Sequence, residues 1–191
     1  VVPTELNIAL KEWDTVCRAL GSGRQILLLR KGGIYESAGG FEIENRQFLL
    51  FPTFVHQNPQ MLKDDALSWY ERRAAEPDAI MLSHAGSISD IIQIQNRAQM
   101  DAINDEHVWT TPLIDMRFNY KPQNPLYLLL VRTYALPTPV TIQNTPAYAG
   151  CKSWVPLDEP VNTSVATAVL DESSYAERRQ RILDTIAAAR T

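Results

Sequence analysis

The stretch from Gly21 to Gly33, GSGRQILLLRKGG, limits the possible folds more than any other part of the chain. The apolar run Ile26–Leu29 sits between glycines on both sides. That leaves too few positions for a helix and suits a short buried strand. The run ends in Arg30 and Lys31, followed by a glycine pair. A strand made for a core thus carries two cations to a sharp turn whose amides no side chain covers. Cations beside open amides make an anion pocket. The plainer alternative pairs Arg30 with an acid such as Glu12 or Glu36 and leaves Lys31 solvated, since exposed ion pairs contribute little.

Upstream, Leu6, Ala9, Leu10, Trp13, Val16, Cys17 and Leu20 recur at three- and four-residue steps. This spacing predicts an amphipathic helix over 4–20, with Thr4 as N-cap and Gly21 and Gly23 as its stop. A strand follows over 25–30, then a glycine-punctuated loop or hairpin. A second strand covers 46–54, brought to an edge or an end by Pro52. A short helix is expected from Asp64 to Ala75, then an extended pair over 79–94 interrupted near Ala85-Gly86, then a short helix over 95–105. Residues 108–120 and 125–136 flank KPQN as a hairpin, in which Met116, Phe118 and Tyr120 alternate with Arg117 and Asn119. Residues 136–170 read as a proline-rich loop, ordered around 148–157. The last helix spans 174–189, with Ser174 and Glu177 as a capping box. This order of elements predicts an α+β fold with a mixed, mainly antiparallel, barrel-like sheet. Residues 1–170 form one domain, and a C-terminal helix over 171–191 is packed on it or appended to it.

The formal net charge is -4 over 191 residues, which argues against a surface that binds polyanions all over and permits a local basic groove. Cys17 and Cys151, far apart, read as reduced thiols rather than a disulfide framework. The longest apolar run, LYLLLV, is far short of the roughly 20 residues of a membrane span. The N-terminus lacks a basic-then-apolar signal pattern, so the expected setting is soluble and cytoplasmic, with no membrane partner. No phosphate-cradling GxxxxGK[ST] loop and no GxSxG elbow occur. His56, His84 and His107 have no Cys or His at ligand spacing, so no metal site and no cofactor are expected. None of the five lysines follows an acid by two positions, against the (D/E)xK pattern of metal-dependent nucleases.

The spacing of GSGRQILLLR resembles the GxKxxExR signature of the ASCH domain, a branch of the PUA-like RNA-binding fold. Gly23 and Arg30 take the outer positions, while Gln25 stands in place of the lysine and Leu28 in place of the acid. The blocks ALKEW (9–13), ILLLRKGGI (26–34), FLLFPTFVHQ (48–57), RFNYKP (117–122), PLYLLLVR (125–132) and YAGCKSWVPL (148–157) are similar to a bacterial family, frequent in cyanobacteria, known as a domain of unknown function. The first resemblance implies a PUA-like fold and an RNA-binding cleft; the second implies no activity.

The blocks also share a chemistry of cations interleaved with aromatics, which suits RNA, single-stranded nucleic acid or a nucleotide. Arg30 and Lys31 would hold phosphate. His56 and Gln57 would read a polar edge. Lys11 and Glu12, on the flank of the first helix, would complete the wall, with Arg117, Lys121 and Lys152 nearby. Against this, Trp13, Phe118, Tyr120 and Trp154 also suit a core. Arg178, Arg179, Arg181 and Arg190 of the last helix read as a solvated face. Two further readings stay open. One is a phosphodiesterase using Glu12, Glu36, Glu42 or Asp115 with Lys31. The other is a protein-interaction module docking through 136–170 and the last helix.

Overall fold

The computed structural model describes residues 2–31, 45–150 and 152–190, and the backbone alone of 36–37 and 40–41. Strand β1 (Glu5–Trp13) occupies the first half of the expected helix, and only the second half is helical, α1 (Asp14–Gly21). Leu6 and Leu10, four apart, satisfy both periods, and Ile8 between them adds a position that only a strand can use. Pairing decided the outcome: β1 runs parallel to β5 (Gln47–Thr53) on one side and antiparallel to β8 (Trp154–Asn162) on the other. Lys11 and Glu12 therefore lie on a strand, not on a helix flank. After α1, Gly23 sits at φ +75°, and a Cβ there would meet Leu170 at 2.8 Å. The chain then turns directly into β2 (Leu27–Lys31).

A two-stranded hairpin, β3 (Glu36–Ser37) with β4 (Gly40–Phe41), follows. Gly32-Gly33, Glu42 and Cys151 lie outside the described residues, as do the side chains of Glu36 and Phe41. Residues 79–94, expected as two strands, form one strand, β6 (Ala79–Ile94). The irregularities come at Leu82/His84 and Ile88/Asp90. Asp64–Trp69 is a 3-10 turn, shorter than the expected helix. Helix α2 (Arg97–Ala102) stands where the 95–105 helix was expected.

The expected hairpin around KPQN is overturned, because Thr111–Asn119 is helix α3. Pro112 stands in its first turn, where a missing N–H costs nothing. Met116 and Tyr120 are 39% and 54% exposed, and the buried pair is Leu113 and Ile114. The Met116, Phe118, Tyr120 stripe is therefore no core face. The strand after KPQN is real and long, β7 (Leu126–Gln143). With β8 and β9 (Thr167–Ala168), it turns most of the supposed 136–170 loop into sheet. The last helix, α4 (Glu172–Ala188), starts two residues early, capped by Asp171, which accepts from Ser174 N at 2.8 Å.

The main sheet runs β2-β7-β6-β5-β1-β8, with β9 added on β7. All its pairings are antiparallel except β1 with β5, so the expected mixed, mainly antiparallel α+β fold holds. One core gathers Leu10, Leu28, Phe48, Leu130 and Trp109 with Tyr175, Ile182 and Ile186 of α4, and a second lies around Ala9, Phe51, Leu82 and Val155. At Gly86 a Cβ would meet Phe48 and Val131 at 2.9 Å, so three strands close up only over a bare backbone. Among the described residues, no helix is long and apolar enough to cross a membrane.

Candidate anion site at the end of β2

Arg30 turns inward and reaches a strand that is not its sheet neighbour. Its Nη1 donates to Glu12 Oε2 at 2.9 Å and its Nη2 to the Lys11 carbonyl at 3.1 Å. Because β2 and β1 stand at the first and fifth places in the sheet order, this pair shows how strongly the sheet curls. The two side chains are only 12% and 7% exposed. Glu12 Oε1 takes the Trp13 amide at 2.8 Å, and its backbone carbonyl takes Thr53 Oγ1 at 3.1 Å. The alternative partner offered for Arg30 in the sequence, Glu12, is thus the one it has.

The carboxylate is shared. Arg117 of α3 lies within electrostatic reach of both Glu12 and Arg30. Burial holds its guanidinium below the ordinary arginine value; Glu12 opposes this and Arg30 adds to it. Arg117 Nε and Arg30 Nε are buried without a hydrogen-bond partner. Among the described residues Arg117 has no ion pair. Trp154 Nε1, on β8 opposite Leu10, is a third buried donor without a partner, its ring edge-on to Phe48 at 5.4 Å. Two guanidiniums therefore face one carboxylate in a poorly hydrated place, an excess of positive charge and of donors.

Lys31 points the other way, into an open hollow of about 420 Å³ with Phe118, Gln93, Gln95 and Gln123. Its ammonium donates to the Phe118 carbonyl at 3.1 Å, and partial burial lowers its pKa from the ordinary lysine value. Lys11 Nζ lies on the face opposite Glu12. It donates to the carbonyls of Tyr148 and Gly150 and rests 5.6 Å from the Phe51 ring centre.

Gln57 is 7% exposed and its carbonyl oxygen is already used. It accepts from Thr15 N and Thr15 Oγ1, both at 2.8 Å, and so caps α1. His56 is exposed in a separate depression with Tyr70, Arg72 and Arg73. Lys121 and Lys152 are exposed, Lys121 at φ +43° with its ammonium 5.4 Å from the Tyr120 ring. The structure thus brings Arg30, Glu12 and Arg117 together, sets Lys31 at the rim, and separates the rest.

The departures from GxKxxExR are structural. Gln25 is fully buried, donates to Leu27 O at 2.7 Å and accepts from Val108 N at 2.9 Å. Leu28, in the place of the acid, is fully buried in the apolar core. Trp154 was weighed from sequence as a stacking or core aromatic; its Nε1 as an unpaired donor was not foreseen.

A curled, mainly antiparallel α+β sheet with a cation-rich interior seam defines the class of protein. Residues 9–181 match the family model described as "Domain of unknown function (DUF1802)", and the chain belongs to that family. No curated protein matches it significantly. Among solved structures it is similar to ASCH from Zymomonas mobilis, at 12% identity over 93% of each chain and a TM-score of 0.43. A serine-to-alanine mutant of that protein matches at 11% identity, over 96% of this chain and 98% of that one, with a TM-score of 0.44.

Proposed function

We propose that this is a nucleic-acid- or nucleotide-binding domain whose phosphate contact is the Arg30–Arg117 pair. The observation that carries the reading is the half-buried Arg117 guanidinium next to Arg30, with no hydrogen bond or ion pair of its own among the described residues and only the Glu12 carboxylate, already bonded to Arg30, within electrostatic reach. A partly desolvated charge with only a shared partner is held at a cost, and a phosphate arriving there offsets that cost through charge-assisted bonds to two guanidiniums. Lys31 extends the positive charge into the neighbouring hollow, where Phe118 offers a ring and three glutamines offer amides to a base. Glu12 keeps Arg30 aimed and prevents the cluster from carrying two uncompensated cations.

Fluorescence-polarisation titrations with short RNA and single-stranded DNA test the reading. Arg117→Met is expected to weaken binding across sequences and to reduce the salt slope by about 1. Unchanged affinity and slope in Arg117→Met and in Arg30→Ala, both still folded, would overturn it. The phosphodiesterase reading loses two of its named acids to ion pairs, Glu12 with Arg30 and Asp115 with Arg97.

A further inference from the structure

A second cavity, of about 380 Å³, lies between β5 and β6, away from Arg117. Those strands pair only from Gln47↔Ser87 to Leu49↔Ala85 and then part. The sequence explains the split. Pro52 has no N–H to offer the ladder. On the other side, β6 jogs at Ser83, where the pairing with β7 skips Leu136–Pro139 and the two prolines Pro137 and Pro139. The jog places Ser83 and His84 together on the cavity wall, Ser83 Oγ 2.8 Å from His84 Nδ1. Such irregularities re-aim side chains.

The walls carry both signs of charge in equal number. Asp14, 9% exposed at the start of α1, pairs with Arg18 at 2.8 Å. Glu71 pairs with Arg73 at 2.8 Å, and these two are 45% and 35% exposed. Each ion pair uses one carboxylate oxygen and one guanidinium nitrogen, Nε. One oxygen of each acid and the terminal nitrogens of each arginine are not consumed by these pairs. Arg73 also lies 4.4 Å over the Phe54 ring. The floor is apolar, with Leu50, Pro52 and Ile80. Burial raises the Asp14 carboxyl above its ordinary value. Arg18 and Arg73 pull it back, and Glu71 pushes it further up, so the other three charges all act on Asp14.

We infer that this cavity binds a small zwitterion with an apolar body, of the chemical class of a free aliphatic α-amino acid. The ammonium enters toward Asp14 and Glu71, the carboxylate is held at the mouth by Arg18 and Arg73, and the side chain lies on the apolar floor. The volume suits a small ligand rather than a folded segment. The Arg73–Glu71 pair is exposed, and Arg18 at 50% leaves its pair with Asp14 open to solvent on one side, so both can be exchanged for ligand contacts. The inference does not depend on the phosphate reading.

Calorimetry and saturation-transfer NMR on the whole chain test it, with leucine and methionine as probes beside leucinamide and N-acetyl-leucine, each of which lacks one charge. The expected result is saturable binding of the zwitterions, weakened at least about tenfold by either capping, since a charged hydrogen bond contributes about 1.5–3 kcal/mol. Glu71→Gln, at an exposed position, is expected to weaken leucine and to leave N-acetyl-leucine unchanged, while Arg117→Met leaves both unchanged. No saturable signal from any zwitterion, equal binding of the capped forms, or a nucleoside outcompeting leucine for the cavity would each overturn the proposal.

Discussion

Arg178 on α4 and Arg117 on α3 are both half-buried arginines on helices, yet their surroundings are opposite. Arg178 donates to Glu106 Oε2, to the carbonyls of Gly23 and Arg24, each at 2.6 Å, and more weakly to the Glu106 carbonyl. Arg181 shares Glu106 at 3.1 Å, and Arg179 grips Asp90 through two bonds of 2.5 Å. The supposed solvated face of the last helix is a clamp that fixes α4 over the α1–β2 turn. Arg117 has no such acceptors among the described residues. Basic residues are equally visible in both segments of sequence; the supply of acceptors around them separates an arginine that holds the fold from one left short of acceptors, where we propose that an anion binds.

The comparison predicts first a large stability loss at the clamp. Arg178→Met removes one partner of a pair whose two side chains are each 16% exposed. Two backbone carbonyls and Glu106 are left short of donors. The expected cost is roughly 3 kcal/mol, or a Tm fall of about 6–12 °C, read by urea and thermal unfolding. A loss below about 1 kcal/mol would mean that α4 is held by Tyr175, Ile182 and Ile186 alone, and the contrast with Arg117 would fail.

Acid should loosen the same end of the molecule. His107 is 1% exposed, its Nδ1 accepts from Trp109 N at 3.3 Å, and its Nε2 has no partner. Burial, with the cations Lys63 and Arg24 close by, lowers its pKa from 6.5 to about 3. The fold therefore stabilises the neutral ring. That contribution is complete above pH 6.5 and is lost as pH falls toward the folded value, with about 2 kcal/mol gone by pH 5. Unfolding in urea at pH 7.5 and pH 5 measures it, and His107→Gln should flatten the difference. An equal pH dependence in that variant would place the sensitivity elsewhere.

The parts of this architecture that sequence revealed are those with one local solution. Ile26–Leu29 between glycines could only be a short strand, and the strand from Leu126 and the final helix were visible for similar reasons. Two segments went the other way. Leu6 and Leu10 fit two periods at once, and only the flanking strands β5 and β8 settle which one is used. Met116, Phe118 and Tyr120 alternate by coincidence along the end of a helix that carries a proline in its first turn. The site was half legible for the same reason. Arg30 and Glu12 were named, and even their pairing was weighed. Arg117 was named on the wrong element, and Trp154 was weighed as a stacking or core aromatic, not as a donor. What a sequence hides is the count of acceptors in three dimensions.

Gln57 gives a middle-sized test. Its two bonds to Thr15 replace the side-chain cap that Trp13 cannot provide. Gln57→Ala should cost about 1 kcal/mol, the usual value of a helix cap, and leave oligonucleotide affinity unchanged. Reduced affinity without lost stability would return Gln57 to the ligand-reading role expected from sequence.

The smallest stability effect is expected at Arg117, and it divides the two regions most cleanly. Replacing its guanidinium by the thioether of Met keeps a long, flexible side chain in the same half-buried place and removes a charge with no paired acceptor. Relief from desolvation and from the like charge on Arg30 offsets the lost attraction to Glu12. Net stability should therefore change by less than about 1 kcal/mol, possible gain included, whereas the same chemical change at Arg178 costs several times more. A loss at Arg117 as large as at Arg178 would mean that its guanidinium already has a protein acceptor and the phosphate site does not exist. Near-equal stability with weakened RNA binding is the pairing of results that only an anion-receiving arginine produces.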